Sequence, residues 1–146
     1  MSNAKTILIT GATGVVGTAL LQHLRTSGDE VVALLGQKHC NLEDASDTQD
    51  AFNDARPDCV IHLAAAVYGL GGNITFPGDI FRRNMLINTN VIDASRKCGA
   101  RKIVAMGTTA IYSDRVRQPF QESDALADVP HGSEFAYAYA KRAMLV

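Results

Sequence analysis

The stretch Lys5–Gly17 decides the fold, and it reads Lys-Thr-Ile-Leu-Ile-Thr-Gly-Ala-Thr-Gly-Val-Val-Gly. Ile7, Leu8 and Ile9 form an apolar run of strand length, and three glycines follow at three-residue intervals. An apolar repeat of helical spacing begins directly after this turn. A strand, a glycine turn and a helix in this order predict a dinucleotide-binding site.

Each glycine of the turn has its own physical reason. One allows the tight turn out of the strand, another lets the backbone approach a pyrophosphate, and the third lets the helix pack closely on the sheet. The helix N-terminus would direct free N–H groups and its positive dipole end at the phosphates. The same glycines would also suit the turn of any α/β protein, whereas a phosphate-loop nucleotidase is disfavoured because no Gly-Lys-Ser/Thr closes the loop. The candidate cofactor-binding residues of this turn are Gly11, Thr13, Gly14, Val15, Val16 and Gly17.

The composition suits one globular domain. The 146 residues are 47% hydrophobic with a net charge of −1, which favours a soluble protein and offers no electrostatic attraction for nucleic acid or an anionic membrane. No apolar run approaches the roughly 20 residues that span a bilayer. Cys40, Cys59 and Cys98 favour free thiols in a reducing cytoplasm, and no residues have the close spacing of a metal site. The domain is expected over residues 5–146, and residues 1–4 look like a tag remnant.

The pattern beyond the turn predicts a Rossmann-type doubly wound parallel α/β sheet with about four strands. Val16, Leu20 and Leu24 recur every four residues, so the first helix should lay this face on the sheet and stop near Gly28. Further elements are predicted as strands at Val31–Leu35, Asp58–Leu63 and Ile103–Met106, with a helix ending near Ala55 and a long helix over Ile80–Cys98. We expect the strand order 3-2-1-4, with the fourth strand as an exposed edge.

The end of the second strand bears on the choice of dinucleotide. An acidic residue there would bind the ribose 2′-hydroxyl of NAD, and a nearby arginine would accommodate the 2′-phosphate of NADP. The sequence at this place is Leu35-Gly36-Gln37-Lys38-His39, which has neither. Lys38 could meet a 2′-phosphate or be a solvated loop lysine, so NAD and NADP both remain open.

The spacing Gly-x-x-Gly-x-x-Gly resembles that of the extended short-chain dehydrogenase/reductases, the NAD-dependent epimerase/dehydratase family. The segment Leu63–Asp79 narrows the resemblance to the GDP-L-fucose synthase branch. It combines Leu-Ala-Ala-Ala at a strand end, a glycine-rich loop over Val67–Gly78 and the run Asn-Ile-Thr-Phe-Pro. The run Asn84–Asn90 is also similar to that branch. The resemblance covers nearly all of this chain but about the first half of a member, so we expect a domain truncated at its C-terminal end, with little turnover by itself.

The resemblance implies an NAD(P) cofactor, with NADP slightly preferred, a nucleotide-sugar substrate such as a GDP-sugar, and a homodimer when full length. It also implies that Asn41 and Leu42 contact the adenine. Independently, Asp44 or Ser46 could cap the helix that follows. Small residues at the carboxyl end of a parallel strand leave room for a ligand. The candidate contacts at this strand end are Leu63, Ala64 and Ala65.

The long helix contains polar residues within an apolar pattern. One face is expected to carry Phe81, Met85, Asn88 and Ile92. Asn84 and Asn88 could bond to strand ends or to bound water near the cofactor. They could equally lie partly exposed on the flank of the helix.

Tyr137 and Lys141 are four residues apart and would share one face of a helix. A phenol has a pKa near 10 and is a poor base at neutral pH, but a neighbouring ammonium or an oxidised nicotinamide favours the phenolate. Tyr137 could then act as general acid or base on a hydroxyl or keto oxygen during hydride transfer. Lys141 could also hold the nicotinamide ribose, and Tyr139 should point elsewhere. Tyr-x-x-x-Lys also occurs by chance as an exposed pair.

By the same resemblance, Thr108 on the loop after the fourth strand bonds the substrate oxygen, and Thr109 is the next candidate. The family branch has a cysteine for proton transfer two residues after this threonine, where this chain has Ala110. Alanine cannot move a proton, so hydride transfer is favoured more than epimerisation. The alternatives are a non-catalytic dinucleotide-binding or redox-sensing module, and another NAD(P)-dependent sugar dehydratase or carbonyl reductase.

Overall fold

A computed structural model of the chain describes residues 5–26, 28, 30–34 and 36–146. Residues 1–4, expected as a tag remnant, and Leu35, the predicted last residue of the second strand, lie outside the described ones. The chain divides into two compact units. The sheet unit comprises the residues up to 65 together with 86–106, and the helical unit comprises residues 66–85 and 107–146.

The sheet unit contains a four-stranded parallel sheet, which confirms the predicted Rossmann-type doubly wound fold. Its strands are β1 (Thr6–Thr10), β2 (Glu30–Leu34), β3 (Cys59–His62) and β4 (Lys102–Ala105). In the parallel register Leu8 lies opposite Val32 on one side and Val60 on the other. Val60 in turn lies opposite Ile103 of β4. β1 and β3 are therefore the two inner strands.

The predicted strand order 3-2-1-4 is wrong, because the observed order is β2-β1-β3-β4. β2 begins with the exposed Glu30 and is otherwise mostly half-buried, which suits an edge. β3 carries the fully buried Val60 and His62 and takes the inner position beside β1. The chain thus reverses its direction across the sheet between β1 and β3. Such a switch point leaves a crevice at the carboxyl ends of the two strands, where open α/β sheets bind ligands.

Helices cover both faces of this sheet. On one face α1 (Val15–Leu24) packs Leu20, Leu21 and Leu24 against Ile7 and Ile9 of β1. The predicted face is wrong at Val16, which is 52% exposed. Its neighbour Gly17 is buried at the glycine turn instead. α1 ends at Leu24, and Gly28, the predicted stop, lies four residues later with φ +83°.

The opposite face is covered by α2 (Ala45–Ala55) and by the part of α4 (Pro77–Lys97) that belongs to the sheet unit. Phe52 of α2 and Val91 of α4 are fully buried there against Leu8 and Val60. β4 is an exposed edge, as predicted, since all four of its residues are exposed.

The helical unit contains α3 (Gly69–Thr75), the beginning of α4, and α5 (Phe135–Arg142). Three short 3₁₀ segments lie at Thr109–Ile111, Glu122–Leu126 and Ala143–Leu145. The prediction of a loop throughout residues 67–78 is wrong because α3 forms within it. Contacts at its two ends hold the segment together, despite its low helix propensity. Tyr68 packs edge-on against Phe76 with ring centroids 6.5 Å apart, and its hydroxyl donates to Asp79 at 2.9 Å.

The predicted face of α4 is wrong at two of its four residues, since Met85 is half-buried and Asn88 is buried. Phe81 and Ile92 are exposed, whereas Asn84 and Asn88 are buried. The buried face of α4 is rotated by about one residue from the predicted one. Both asparagines can be buried because each forms hydrogen bonds with polar partners. The buried positions of α4 are Ile80, Asn84, Ile87, Asn88, Val91, Ala94 and Ser95.

Candidate cofactor and acid–base sites

The glycine turn of the sheet unit has the close backbone approaches that its sequence predicts. Gly11 has φ +71°, and a Cβ placed on it would lie 2.7 Å from the backbone nitrogen of Ala64. A Cβ on Gly17 would lie 2.2 Å from the carbonyl oxygen of Gly11. A side chain at either position would therefore collide with backbone. Gly14 is the N-cap of α1 and has no side chain with which to cap it.

The open side of this turn suits a dinucleotide. Thr13, Gly14 and Val16 are exposed, and Val15 is 93% exposed. The first amides of a helix have no carbonyl partner within the helix. Together with the helix dipole they would hold a pyrophosphate. The turn therefore fits the cofactor that the sequence predicts.

A buried chain of hydrogen bonds supports the carboxyl edge of β1 and β3. The Nε2 atom of His62 lies 3.2 Å from the amide oxygen of Asn88, which only accepts, so Nε2 carries the proton. Nδ1 then accepts from the hydroxyl of Thr10 at 2.7 Å. That hydroxyl accepts in turn from the N–H of Ala64 at 3.3 Å. The predicted bonding of Asn88 to a strand end is confirmed, and the histidine links the two inner strands.

The segment at Asn41 and Leu42 serves a structural role in the sheet unit. Asp44 is the N-cap of α2 and accepts from the N–H of Asp47 at 2.9 Å, which confirms the capping interpretation and favours Asp44 over Ser46. Leu42 packs against the cluster around Phe52. The adenine contacts implied for Asn41 and Leu42 remain predictions.

The residues that would distinguish NAD from NADP are exposed. Gln37 and Lys38 both lie on the surface after β2. Gln37 donates to the side-chain oxygen of Asn41 over 3.4 Å. These contacts leave the choice of dinucleotide where the sequence left it.

In the helical unit, the side chain of Asn84 forms hydrogen bonds with the backbone of Ala66, just after β3. Its amide oxygen accepts from the N–H of Ala66 at 3.0 Å, and its Nδ2 donates to the carbonyl of Ala66 at 2.9 Å. It also donates to the carbonyl of Ile80 at 2.9 Å. Asn84 is fully buried, so partial exposure on the helix flank is wrong and bonding to the backbone beyond β3 is right.

Tyr137 and Lys141 lie one turn apart on α5, as predicted. The Nζ atom of Lys141 is 5.9 Å from the ring centroid of Tyr137. Lys141 is only 2% exposed, so this is not the exposed chance pair. Burial lowers the pKa of Lys141. Burial, followed by the charge of Glu134, raises the pKa of Tyr137, opposite to the effect expected from the lysine alone.

Tyr139 and Arg142 belong to the packing of α5. Tyr139 contacts Phe135 with ring centroids 4.7 Å apart and lies under the guanidinium of Arg142. Arg142 is buried and donates from Nε to the carbonyl of Ile111 at 2.8 Å. Tyr139 thus has different partners from Tyr137, as predicted.

Thr108 lies in the wall of an open cleft of about 590 Å³ within the helical unit. Its hydroxyl accepts from the N–H of Ala110 at 3.2 Å and caps the 3₁₀ segment Thr109–Ile111. The hydroxyl proton remains available to a ligand oxygen. Thr109 and Ala110 line the same cleft.

Other residues of this cleft were not identified from the sequence. The rings of Tyr112 and Phe120 stack with centroids 4.6 Å apart. Glu134 accepts from Nδ2 of Asn73 at 2.7 Å. The spacing of Glu134, three residues before Tyr137, was the one available signal. The polar and aromatic lining residues include Thr108, Thr109, Tyr112, Ser113, Asp114, Gln118, Phe120, His131 and Glu134.

Comparison with known proteins places the chain in a family. The family model described as the NAD dependent epimerase/dehydratase family matches residues 7–145. The chain belongs to this family. Membership confirms the resemblance predicted from the glycine turn and the residues after β3.

Relatives within the NAD-dependent epimerase/dehydratase family include GDP-L-fucose synthases. The chain is 38% identical over 140 residues to a probable GDP-L-fucose synthase of Drosophila melanogaster, covering 94% of this chain and 44% of that protein. It is 34% identical over 135 residues to GDP-L-fucose synthase of Escherichia coli, covering 92% of this chain and 42% of that protein. The chain therefore spans less than half the length of these family members.

Solved structures of similar proteins have the same fold. A GDP-L-fucose synthetase of Naegleria fowleri bound to NADP superposes with a TM-score of 0.87 at 32% identity, covering 99% of this chain and 43% of that one. A protein named DdhaC superposes with a TM-score of 0.92 at 27% identity, covering 99% of this chain and 42% of that one. Both likenesses extend over both units of this family member.

The described residues contain neither a membrane-spanning helix nor a metal-binding cluster. Among them, no helix combines the length and the apolar character that crossing a bilayer requires. Nor do they contain a cluster of three or more His, Cys, Asp and Glu side chains arranged to hold a metal ion.

Proposed function

We propose that the chain is the NAD(P)-binding part of a nucleotide-sugar epimerase/reductase similar to GDP-L-fucose synthase, with residues 5–146 as the cofactor domain. The observation that carries the proposal is the pair Tyr137 and Lys141 on α5, with the lysine almost fully buried beside the phenol ring. Burial of the charged ammonium group of a lysine costs free energy. A buried lysine beside a tyrosine is therefore more typical of a functional site than of a solvated surface pair.

The sheet unit would bind the cofactor. The residues after β1 would hold its pyrophosphate at the N-terminus of α1. Asn41 and Leu42 would contact the adenine, and Leu63, Ala64 and Ala65 would line the crevice after β3. Lys141 of the helical unit would hold the nicotinamide ribose. The bound dinucleotide supplies a hydride in its reduced form and accepts one in its oxidised form.

The helical unit would supply the proton. In the direction of reduction, Tyr137 would donate its phenolic proton to the sugar keto oxygen, and Thr108 would bond the same oxygen. In the direction of oxidation, Tyr137 must be a phenolate. The raised pKa of Tyr137 opposes that form, and the positive charge of an oxidised nicotinamide would favour it.

Ala110 favours a second candidate, a 4-keto-sugar reductase that does not epimerise. The residue lies in the wall of the cleft with Thr108, and its methyl group has no proton to exchange. Hydride transfer needs no proton-transferring group at this position. Epimerisation needs an acid or base that removes a proton from a sugar carbon beside the ketone and returns one to the opposite face. The reductase and the epimerase would share every residue assigned above.

Four finer features belong to the proposal. NADP is the preferred cofactor, supported by the NADP-bound relative of Naegleria fowleri and by the exposed Lys38. A GDP-sugar is the preferred substrate, supported by the names of the relatives. A cytoplasmic location is supported by three free thiols. A homodimer of the full-length protein rests on the resemblance alone.

The test begins with titration of NADPH and NADH into the chain, followed by nicotinamide fluorescence. We expect binding of NADPH, and loss of binding in Gly14→Glu, because a carboxylate would then face the phosphates. Failure of the chain to bind either cofactor would contradict the proposal. Gly78→Glu, at the exposed start of α4, is the charge-matched control.

The second step measures turnover of GDP-4-keto-6-deoxymannose by the full-length protein that contains this chain. We expect Tyr137→Phe to abolish reduction while NADPH still binds. A product reduced to the alcohol at C4, with every other carbon of the sugar in its original configuration, identifies the reductase, and a fucose-configured product identifies the epimerase/reductase. If the full-length protein bound the cofactor but converted no substrate, with or without Tyr137→Phe, the non-catalytic module would be favoured.

A further inference from the structure

Asn73 and Glu134 form a contact between α3 and the start of α5. Nδ2 of Asn73 donates to a carboxylate oxygen of Glu134 at 2.7 Å. Both residues are half-buried. Glu134 occupies the N-cap of α5, where a side chain more often bonds the helix's own amides. Here the carboxylate makes no such bond and accepts from Asn73 instead.

The position of Glu134 connects this contact to the acid–base residue. Tyr137 is three residues later, and the N-cap and third helical side chains of a helix are neighbours. Glu134 also lies in the wall of the cleft that contains Thr108. The carboxylate thus lies in the cleft wall at the N-cap of α5, three residues before Tyr137.

The other charged groups of the helical unit on α5 and in the cleft wall are Lys141, Arg142 and Asp114. α5 packs against α3 and against the 3₁₀ segments at 109–111 and 143–145, whose sequences contain no charged residue. Lys141 lies one turn further along α5 and has the opposite charge. His131 of the cleft has its ring nitrogen 2.7 Å from the hydroxyl of Ser133. After burial, the charge of Glu134 raises the pKa of Tyr137.

We propose that Asn73 and Glu134 act as a positioning pair that holds a negative charge beside Tyr137 and keeps its phenol protonated for ketone reduction. The inference rests on the proposed function, since it assigns Tyr137 as the acid. Asn73 belongs to the run Asn-Ile-Thr-Phe-Pro, so the pair also gives that run a role.

The proton balance of ketone reduction requires Tyr137 to be a protonated phenol before the hydride is transferred. Reduction adds one hydride to the carbonyl carbon, for which the reduced dinucleotide is oxidised, and one proton to the carbonyl oxygen. Tyr137 would lose that proton, and solvent would restore it to the phenolate. A nearby carboxylate makes the phenol hold its proton before the step and makes the phenolate recover it afterwards.

The test is an NMR titration of the chain with ¹³Cζ-labelled tyrosine, assigned with Tyr137→Phe. We expect Glu134→Gln, which keeps the shape and the acceptor but removes the charge, to move the titration of Tyr137 to lower pH. Asn73→Ala should move it in the same direction by less, because the carboxylate remains but is no longer held. Glu122→Gln, an exposed carboxylate of the same unit, should leave it in place.

A titration of Tyr137 that is the same in Glu134→Gln and in the unmodified chain would overturn the inference. If Asn73→Ala alone had no effect, the role of Asn73 would be wrong. In the full-length protein, the high-pH limb of the kcat profile for reduction should move with the phenol. The NMR titration needs neither cofactor nor substrate, so its failure is distinct from a failure to bind NADPH, which would contradict the proposed function.

Discussion

The two units are stabilised in different ways. In the sheet unit, apolar strand residues such as Leu8, Ile9 and Val60 are fully buried between two layers of helices. In the helical unit, side chains bonded to the backbone have the corresponding role, with Asn84 on Ala66 and Arg142 on Ile111. The first kind of contact depends on how residues repeat along the chain. The second depends on single residues that meet distant partners.

Because of this difference, we expect the two units to respond differently to mutation. Apolar layers tolerate a change of one side chain if the volume is kept. A buried polar group has no such tolerance, because removal of its partner leaves the full cost of desolvation. The glycine turn adds a third case in the sheet unit, since its backbone atoms are too close for any side chain. Four changes test this comparison.

Gly17→Ala should have the largest effect, a destabilisation of more than about 3 kcal/mol, because overpacking against backbone cannot be relieved by a rotamer change. The new Cβ would lie 2.2 Å from the carbonyl oxygen of Gly11. The measurement is the free energy of unfolding in urea. Gly14→Ala is the matched control within the same turn, since its Cβ would be 3.4 Å from that oxygen. Equal effects of the two changes would contradict the close packing of the turn.

Asn84→Leu should destabilise by about 3 kcal/mol, since it leaves both backbone groups of Ala66 buried without their partner. It keeps the approximate volume and adds apolar surface, so a unit stabilised by apolar burial would tolerate it. Thr89→Leu, on the exposed face of the same helix, is the control. Urea unfolding of both variants decides. A stable Asn84→Leu protein would mean that the two units are stabilised alike.

Thr10→Val should cost about 2 kcal/mol, because the isosteric side chain removes the partner of His62 Nδ1 and of the Ala64 N–H. Thr10→Ser keeps the hydroxyl and should lose about 1 kcal/mol or less with the methyl group. ¹⁵N NMR of the histidine ring should also show the proton on Nε2 in the unmodified chain. If valine proved as good as serine, the sheet unit would depend on apolar layers alone.

The pH dependence of stability tests whether Cys40 is buried in the apolar core of the sheet unit. Burial, and then the charge of Asp47, raise the pKa of Cys40 from its ordinary value of 9.0 to about 11. The unfolded thiol therefore ionises first, and stability should fall as the pH rises from 9 toward 11, by on the order of 2 kcal/mol. Cys40→Ala should remove this part of the slope. Urea unfolding at pH 8 and pH 10 measures it, and identical slopes in both proteins would contradict the burial of the thiol.

The fold was predictable where local patterns decide it. The strand Thr6–Thr10, the glycine turn and the helix after it form because apolar residues and glycines stand at the required intervals. The strand order was not predictable in this way. Either edge of β1 can pair with β3, and the choice depends on contacts such as that of His62 with Thr10, which lie 52 residues apart.

The candidate sites divide along the same line. The one-turn spacing of Tyr137 and Lys141 could be read from the sequence because helical periodicity is local. The burial of Lys141 and the contact of Glu134 with Asn73, 61 residues apart, could not. The helix α3 was missed for the same reason. Its glycines disfavour a helix, and the contacts of Tyr68 with Phe76 and Asp79 override them.

The sequence by itself determined the parallel α/β class, the glycine turn, the family and the one-turn spacing of Tyr137 and Lys141. Each of these depends on residue type at short spacing, where the covalent geometry of the chain sets the distances. Only the tertiary structure decided the strand order, the buried face of α4 and the carboxylate beside Tyr137. These depend on which groups far apart in the sequence come into contact. Burial favours particular pairings, because a buried polar group without a hydrogen-bond partner costs free energy.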